Sequence, residues 1–161
     1  MIRVFRISTS TALGLLVALL LQTSVPLSVA QTQKARSGDD DGPLFSEYRS
    51  VKIGMTTEEV RKKLSNPNDK SDEQDFFVFG ENESAQVFYD KTKKVFAISV
   101  NFLKDAREIP TAKGVFGSDI APKPDGSIYK MVRYPKSGCW VSFSRTAGDS
   151  PLTTVTLQKI E

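Results

Sequence analysis

Short strand-like runs joined by short polar turns constrain the fold of this chain more than any other sequence feature. The first three such runs cover residues 75–79, 84–90 and 95–102, and the turns between them read Gly-Glu-Asn-Glu and Lys-Thr-Lys-Lys. Links this short join antiparallel neighbours, because a parallel pair needs a crossover of a dozen or more residues. The sequence therefore predicts an antiparallel meander over residues 75–102.

Alternation in the third run predicts that one face of this meander is buried. The apolar side carries Phe96, Ile98, Val100 and Phe102, and the other side carries Ala97, Ser99 and Asn101. A sheet with one apolar face needs a covering layer. We expect a helix that precedes the meander to supply it.

That helix is predicted over about residues 56–65. Thr56 is a suitable N-cap, and Glu59 follows three residues later, which is the spacing of a capping box. Pro67 disfavours helix at the residue before it and ends the run. Two helical turns are not stable alone in water, so Val60 and its neighbours on the same helix face must pack on something apolar.

The second half of the chain repeats the order of one helix and three strands. A short helix is predicted near residues 110–117, and strand-like runs cover residues 127–134, 139–145 and 152–160. Equivalent strand positions in the two halves lie about 55 residues apart. The pattern predicts an α+β fold in which a short helix packs on an antiparallel β-meander, duplicated in the second half. A single α+β domain whose second half merely looks similar is the alternative.

The first 30 residues predict a secretory signal peptide. Arg3 and Arg6 precede an apolar run over residues 12–21, and small residues lead to a cleavage point between Ala30 and Gln31. The apolar run is about ten residues long, short of the roughly 20 needed to span a bilayer. We expect a secreted or periplasmic product without a transmembrane anchor after cleavage, and an uncleaved anchor is the alternative.

The chain then divides into a signal peptide (residues 1–30), a polar leader that we expect to be disordered (31–43), the first helix and meander (44–105) and the second (106–161). The signal peptide holds two arginines and no acidic residue, so its removal lowers the net charge from +3 to +1. A nearly neutral product argues against nucleic acid as a partner.

The chain contains no histidine and one cysteine, Cys139. The lack of histidine excludes Ser-His and Cys-His nucleophile activation and every His-based metal site. We therefore expect no enzyme activity, no catalytic residue, no metal and no cofactor. An envelope enzyme that uses paired carboxylates or Ser-Lys chemistry is the alternative, but the acidic residues Asp72, Glu73 and Asp75 are interpreted as a solvated loop.

Trp140 and Phe88 are the candidate protein-contact residues. Alternation places Trp140 with Ser142 and Ser144 on the polar face of its strand, and it places Cys139 on the apolar face as a buried thiol. An exposed tryptophan could anchor a partner protein or could lie beneath a loop or the second helix. Phe88, which also lies between polar neighbours, poses the same choice.

The start of the first helix and the meander after it resemble a known family. The shared motif consists of Gly54, Met55, Thr56, Glu59, Val60, Leu64 and Pro67. Through this motif, residues 51–102 resemble the BamE (SmpA/OmlA) family of outer-membrane assembly factors and the β-lactamase inhibitor proteins, which share a small helix-on-sheet fold. The resemblance implies a non-enzymatic binding or envelope-assembly module whose partner is another envelope or secreted protein. An inhibitor of a secreted enzyme is the alternative.

Overall fold

A computed structural model describes residues 42–160 of the chain. These residues adopt a mixed α+β fold that consists mainly of one seven-stranded antiparallel sheet. The predicted signal peptide, its cleavage point between Ala30 and Gln31, and residues 31–41 of the predicted leader lie outside the described residues. Between residues 42 and 160, no helix is long and apolar enough to cross a membrane.

The helices and strands follow one another in the predicted order. The first group is α1 (Thr57–Leu64), β1 (Asp69–Lys70), β2 (Gln74–Gly80), β3 (Glu83–Tyr89) and β4 (Val95–Phe102). The second group is α2 (Ala112–Phe116), β5 (Ile128–Tyr134), β6 (Cys139–Arg145) and β7 (Thr153–Lys159). The ends of the six predicted strands differ from the observed ends by one residue at most, and only the two-residue β1 was not predicted.

The strands lie in the order β1-β2-β3-β4-β7-β6-β5, and all neighbours are antiparallel. The two halves of the chain meet where β4 pairs with β7, with Ile98 opposite Leu157 and Val100 opposite Val155. The halves therefore share a single sheet.

One face of this sheet carries the hydrophobic core. Val60 of α1 and Val115 of α2 are at most 1% exposed, and both belong to the same cluster as the buried strand residues. Burying an aliphatic side chain of this kind contributes roughly 1.5–3 kcal/mol relative to leaving it exposed. The strand residues with the lowest exposure in this cluster are Phe77, Ala85, Val87, Val95, Ile98, Val100, Val141, Phe143, Val155 and Leu157.

The predicted capping box of α1 is confirmed. The Thr56 hydroxyl accepts a hydrogen bond from the Glu59 backbone N–H at 3.3 Å, and Glu59 Oε2 accepts one from the Thr56 backbone N–H at 2.8 Å. Gly54 has a φ of +87°, a conformation that L side chains rarely adopt, which explains the glycine before the helix. The apolar motif residues Met55, Val60 and Leu64 all pack in or against the core.

The prediction that Phe96 lines the core face with Ile98 is wrong. A β-bulge shifts the register between β3 and β4 and adds one residue to β4 at this point. Val95 occupies the core instead, and the Phe96 ring packs against the ring of Phe88 with 6.1 Å between centroids. The bulge therefore moves an aromatic ring away from the core.

The interpretation of Asp75 as part of a solvated loop is also wrong. Its side chain is fully buried on the core side of β2. Arg61 of α1 donates two hydrogen bonds to the carboxylate, at 2.9 and 2.8 Å, and the Tyr89 hydroxyl donates a third at 2.7 Å. These bonds compensate for the loss of solvent around the charge. Asp72 and Glu73 are exposed, as predicted.

A tight hairpin before α1 was not predicted. Tyr48 and Val51 exchange backbone hydrogen bonds of 3.0 and 2.8 Å, and the two residues between them, Arg49 and Ser50, have φ values of 47° and 65°. Two positive φ values at the centre of a hairpin are typical of a type I′ turn. The Tyr48 hydroxyl donates to Glu83 of β3, and Arg49 forms a 2.9 Å salt bridge with the same carboxylate.

Candidate protein-binding face

The sheet face opposite the core carries three transverse rows of six side chains, which we call the open face. Directly paired residues on neighbouring strands project to the same side of a sheet, so the pairing registers define these rows. In the order β2, β3, β4, β7, β6, β5, row 1 is Gln74, Phe88, Ala97, Gln158, Trp140 and Arg133. Row 2 is Phe76, Gln86, Ser99, Thr156, Ser142 and Met131, and row 3 is Val78, Ser84, Asn101, Thr154, Ser144 and Tyr129.

Only one of these eighteen side chains, that of Arg133, carries a charge, and Asp69 of β1, which pairs with Phe76, adds a second charge at the β2 edge of the same face. In the chain as a whole, charged residues make up 25%. The centres of protein–protein interfaces are depleted of charge in this way, whereas solvated surfaces are rich in it. In its low charge, the composition of the open face is similar to that of interface centres.

Large apolar side chains are concentrated at the same surface. Tyr129 and Met131 of β5 are 53% and 47% exposed, and Val78 of β2 is 46% exposed. Leu103, which follows β4 and shares a shallow groove with Val78, is 45% exposed. Within residues 42–160, these are four of the five exposed large hydrophobic residues. The fifth is Leu44.

The structure brings the two predicted contact residues, Trp140 and Phe88, into the same row. Each is half-buried, and β4 and β7 lie between their strands. Three strand spacings separate them, which is about 14 Å. The prediction that Trp140 shares a face with Ser142 and Ser144 is confirmed by the pairing of β6 with β7. The second helix contributes its buried residues to the core on the other side of the sheet.

Cys139 lies beside Trp140 in sequence but on the opposite face, as predicted. Its side chain belongs to the core cluster, and the residue is 6% exposed. Burial raises the pKa of the Cys139 thiol above its ordinary value, because the charged thiolate would lose its hydration. The Cys139 thiol is therefore a buried part of the hydrophobic core.

Neutral polar side chains at the centre of the open face bond to one another. Ser99 Oγ and Thr156 Oγ1 are 3.1 Å apart, and Thr154 Oγ1 donates a hydrogen bond of 2.8 Å to Asn101 Oδ1. Both pairs join β4 to β7, where the halves of the chain meet. Covering a polar group is costly when it lacks a hydrogen-bond partner, so these internal bonds lower the cost of covering the centre.

An open cleft of about 860 Å³ lies at the row 1 end of the open face. The aromatic side chains of Phe88 and Phe96 line it, together with Ile160 near the end of the described chain. The bulge in β4 is what places the second of these rings in the cleft. Charged residues line the rest of the cleft, among them Asp72, Glu73, Lys91 and Lys159. The cleft thus adds both apolar and charged surface at this end of the open face.

Three of the ionisable residues around this cleft, Asp72, Asp90 and Lys93, form contacts within or between the turns that border it. Lys93 forms a 3.0 Å salt bridge with Asp72. The Asp90 carboxylate accepts hydrogen bonds from the Thr92 hydroxyl and from the backbone N–H groups of Thr92 and Lys94. The bond from the Thr92 hydroxyl is the main reason why the pKa of Asp90 is lowered. These groups hold the turns that border the cleft.

Sequence reasoning missed the contribution of β5 to the site. The run Ile128–Tyr134 carries apolar residues on both of its faces, with Tyr129 and Met131 on one and Ile128 and Val132 on the other. A strand with one solvated face alternates apolar and polar residues. The missing alternation was the signal that β5 carries apolar side chains on its solvent-exposed face as well as on its core face.

No protein-family model matches this chain, and it shows no significant similarity to a curated protein or to a solved structure. The resemblance of residues 51–102 to the BamE family thus stays a prediction. The open face is the feature from which a function can be argued.

Proposed function

We propose that this chain is an exported, non-enzymatic binding module that presents the open face to another protein of the cell envelope or the secreted fraction. The observation that carries the proposal is that a face of eighteen side chains holds a single charge together with several exposed apolar residues. Burial of such a face removes apolar surface from water, which is favourable, and desolvates few charged groups, which would be costly.

Trp140 and Phe88 are the proposed anchors of the contact. Tryptophan is enriched among the residues that dominate binding energy, and such residues lie in the middle of an interface, ringed by weaker contacts. The two anchors flank Ala97 and Gln158 in row 1. A partner that inserts one apolar side chain beside each anchor would need them about 14 Å apart.

The proposal extends to the fold and the location of the chain. We infer a duplicated unit, each copy consisting of a short helix packed on a three-stranded meander. The order of the elements and the mirrored strand order around β4 and β7 support this inference. Export rests on the signal-peptide pattern in residues 1–30. An inhibitor of a secreted enzyme is the same proposal with an enzyme as the partner.

Site-specific photo-crosslinking tests the proposal. A photoreactive residue replaces Ser142 at the centre of the open face or, as the matched control, Lys62 on the exposed side of α1. The full chain is expressed with its own residues 1–30 in an envelope-forming host. We expect a defined crosslinked protein with the label at position 142 and none with the label at position 62.

Trp140→Ala is then combined with the label at position 142. Truncation of an anchoring tryptophan costs about 2 kcal/mol or more, so the crosslink should fall by roughly an order of magnitude while the chain stays folded. A crosslink of equal strength from both label positions, or one that Trp140→Ala leaves unchanged, would show that the open face is not the binding surface.

A further inference from the structure

We propose that the occupant of the open face is a second copy of this chain, stacked face to face with the first. The twofold axis lies between the two sheets and runs parallel to β4 and β7. This inference rests on the proposed function, because it names the partner of the same face. The supporting observation is that similar residue types lie at equal distances on either side of the line between β4 and β7 in each row.

The strand order makes the open face match itself under that axis. The six strands that bear the rows are β2-β3-β4 and β7-β6-β5, so β4 of one copy faces β7 of the other, β3 faces β6, and β2 faces β5. Rotation about an axis parallel to the strands keeps each row opposite the same row. The residue that faces a given side chain can therefore be read directly from the pairing registers.

Large apolar residues face large apolar residues in this arrangement. They lie on β2 and β3 in the first half and on β5 and β6 in the second half. The axis places β2 opposite β5 and β3 opposite β6. The resulting contacts between copies are Phe88 with Trp140, Phe76 with Met131, and Val78 with Tyr129. Each copy supplies all three contacts twice, once from each side of the axis.

Neutral polar residues likewise face neutral polar residues. Hydroxyl and amide groups both donate and accept hydrogen bonds, so they are complementary to their own kind. The facing pairs are Gln86 with Ser142, Ser84 with Ser144, Ser99 with Thr156, and Asn101 with Thr154. Arg133, the single charged residue in the three rows, faces Gln74. Within the rows, therefore, no like charges are opposed. Face-to-face sheets pack about 10 Å apart with a tilt near 30°, which lets such pairs interdigitate.

The size of the face sets the expected strength of the dimer. Six strands span about 24 Å, and three rows extend for roughly 20 Å, which gives a flat area on the order of 500 Å² per copy. Stable interfaces bury about 800 Å² per partner. The bordering side chain of Leu103 adds to the area. We therefore expect a reversible dimer with a dissociation constant in the micromolar range, about 1–100 μM.

A charge swap tests both the dimer and its register. Ser142→Glu puts a carboxylate opposite Gln86 of the other copy, and Gln86→Lys puts an ammonium opposite Ser142. Each single change should weaken the dimer about tenfold or more, because a charge would be buried without a partner. The double variant places Glu opposite Lys twice and should recover most of the affinity. The two positions lie three strands apart in one copy, about 14 Å, so they cannot pair within a chain.

Sedimentation velocity of the exported chain, recovered after secretion and with its N-terminus read by mass spectrometry, measures the affinity. Lys62→Gln on exposed α1 changes the net charge by the same amount as Ser142→Glu and should leave the dimer unchanged. Circular dichroism verifies folding. If Ser142→Glu does not fold, Ser144→Glu with Ser84→Lys, which face each other in row 3, replaces the pair.

A chain that stays monomeric at several hundred micromolar overturns this inference, and so does a dimer that the single changes leave intact. A dimer that the double variant fails to restore also overturns it, because the register would be wrong. The crosslinking experiment separates this failure from that of the proposed function. A monomeric chain that still crosslinks a different protein from position 142 would keep the binding face and reject only the second copy as its occupant.

Discussion

A buried ion pair between Asp75 of β2 and Arg61 of α1 stabilises the packing of α1 on the sheet. The Asp75 carboxylate is fully buried, while the side chain of its partner Arg61 is 35% exposed, so the arginine keeps part of its hydration. The Tyr89 hydroxyl completes the set of donors to the carboxylate. Removing the charge from one partner of such a pair leaves the other without compensation.

Asp75→Asn should therefore lower the free energy of unfolding by about 2–3 kcal/mol, because charge-assisted hydrogen bonds are lost in a buried setting. Asp72→Asn is the matched control. Its salt bridge to Lys93 is largely solvated, and we expect a loss below about 0.5 kcal/mol. Urea unfolding followed by circular dichroism measures both. Equal losses for the two variants would contradict a structural role for the buried pair.

The sequence predicts which face of β2 carries Asp75 but not which residue pairs with it. Asp75 lies in register with Phe77 and Phe79, so alternation alone puts it on the apolar face. A carboxylate on such a face is tolerated only beside a partner, and that partner comes from α1, 14 positions away along the chain. The composition of the acidic run favoured a loop, but tertiary contact decided the outcome.

Among the helices and strands, those with strong end signals could be predicted closely. Turns that contain glycine, proline or asparagine border most of the six long strands, a polar lysine-rich turn separates β3 from β4, and a capping box starts α1. The elements that were missed lack such signals. The hairpin at Tyr48 is built on Arg49 and Ser50 rather than the Asn-Gly typical of type I′ turns, and the bulge at Phe96 depends on how β4 pairs with β3.

Two tyrosines, Tyr48 and Tyr89, form hydrogen bonds that make the free energy of unfolding sensitive to alkaline pH. Burial, followed by the hydrogen bond to a neighbouring carboxylate, raises the pKa of Tyr48 and of Tyr89 above the ordinary tyrosine value. Tyr48 bonds to Glu83, and Tyr89 bonds to Asp75. In the unfolded chain these hydroxyls lose their protons near pH 10, whereas in the folded chain they keep them.

The stability from these groups is therefore fully present below about pH 10 and falls as the pH rises further, by about 1.4 kcal/mol per pH unit for each tyrosine. Tyr89→Phe should reduce the combined slope by about half. Urea unfolding from pH 8 to 11.5 measures the slope. A slope that Tyr89→Phe does not alter would contradict the assignment.

For the whole molecule, the pairing of β4 with β7 determines both the core and the open face. Phe88 comes from the first half of the chain and Trp140 from the second, and only this pairing puts them in one row. Alternation within each strand predicted which side the two residues occupy. It could not predict that they align, because alignment depends on the register between strands that are far apart in sequence.

The molecule thus has one covered face and one uncovered face. Both helices contribute to the core on the first, while the second combines apolar outer strands with a neutral centre that satisfies its own hydrogen bonds. A lone monomer would expose this apolar surface to water. We therefore propose that another protein molecule covers the open face when the chain acts.

Trp140 offers the most direct measurement of that requirement, because it is the only tryptophan in the chain. Its fluorescence reports contact with a neutral quencher such as acrylamide, and its half-buried position on the open face leaves it accessible in the monomer. We predict that quenching falls by about half or more as the exported chain is concentrated through its dimerisation range or saturated with a crosslinked partner, as expected for an anchoring residue that an interface covers. The Ser142→Glu variant should need at least about tenfold higher concentrations to show the same fall in quenching. If a dimer or complex forms while the quenching of Trp140 stays at its monomer value, the open face is not the surface that binds.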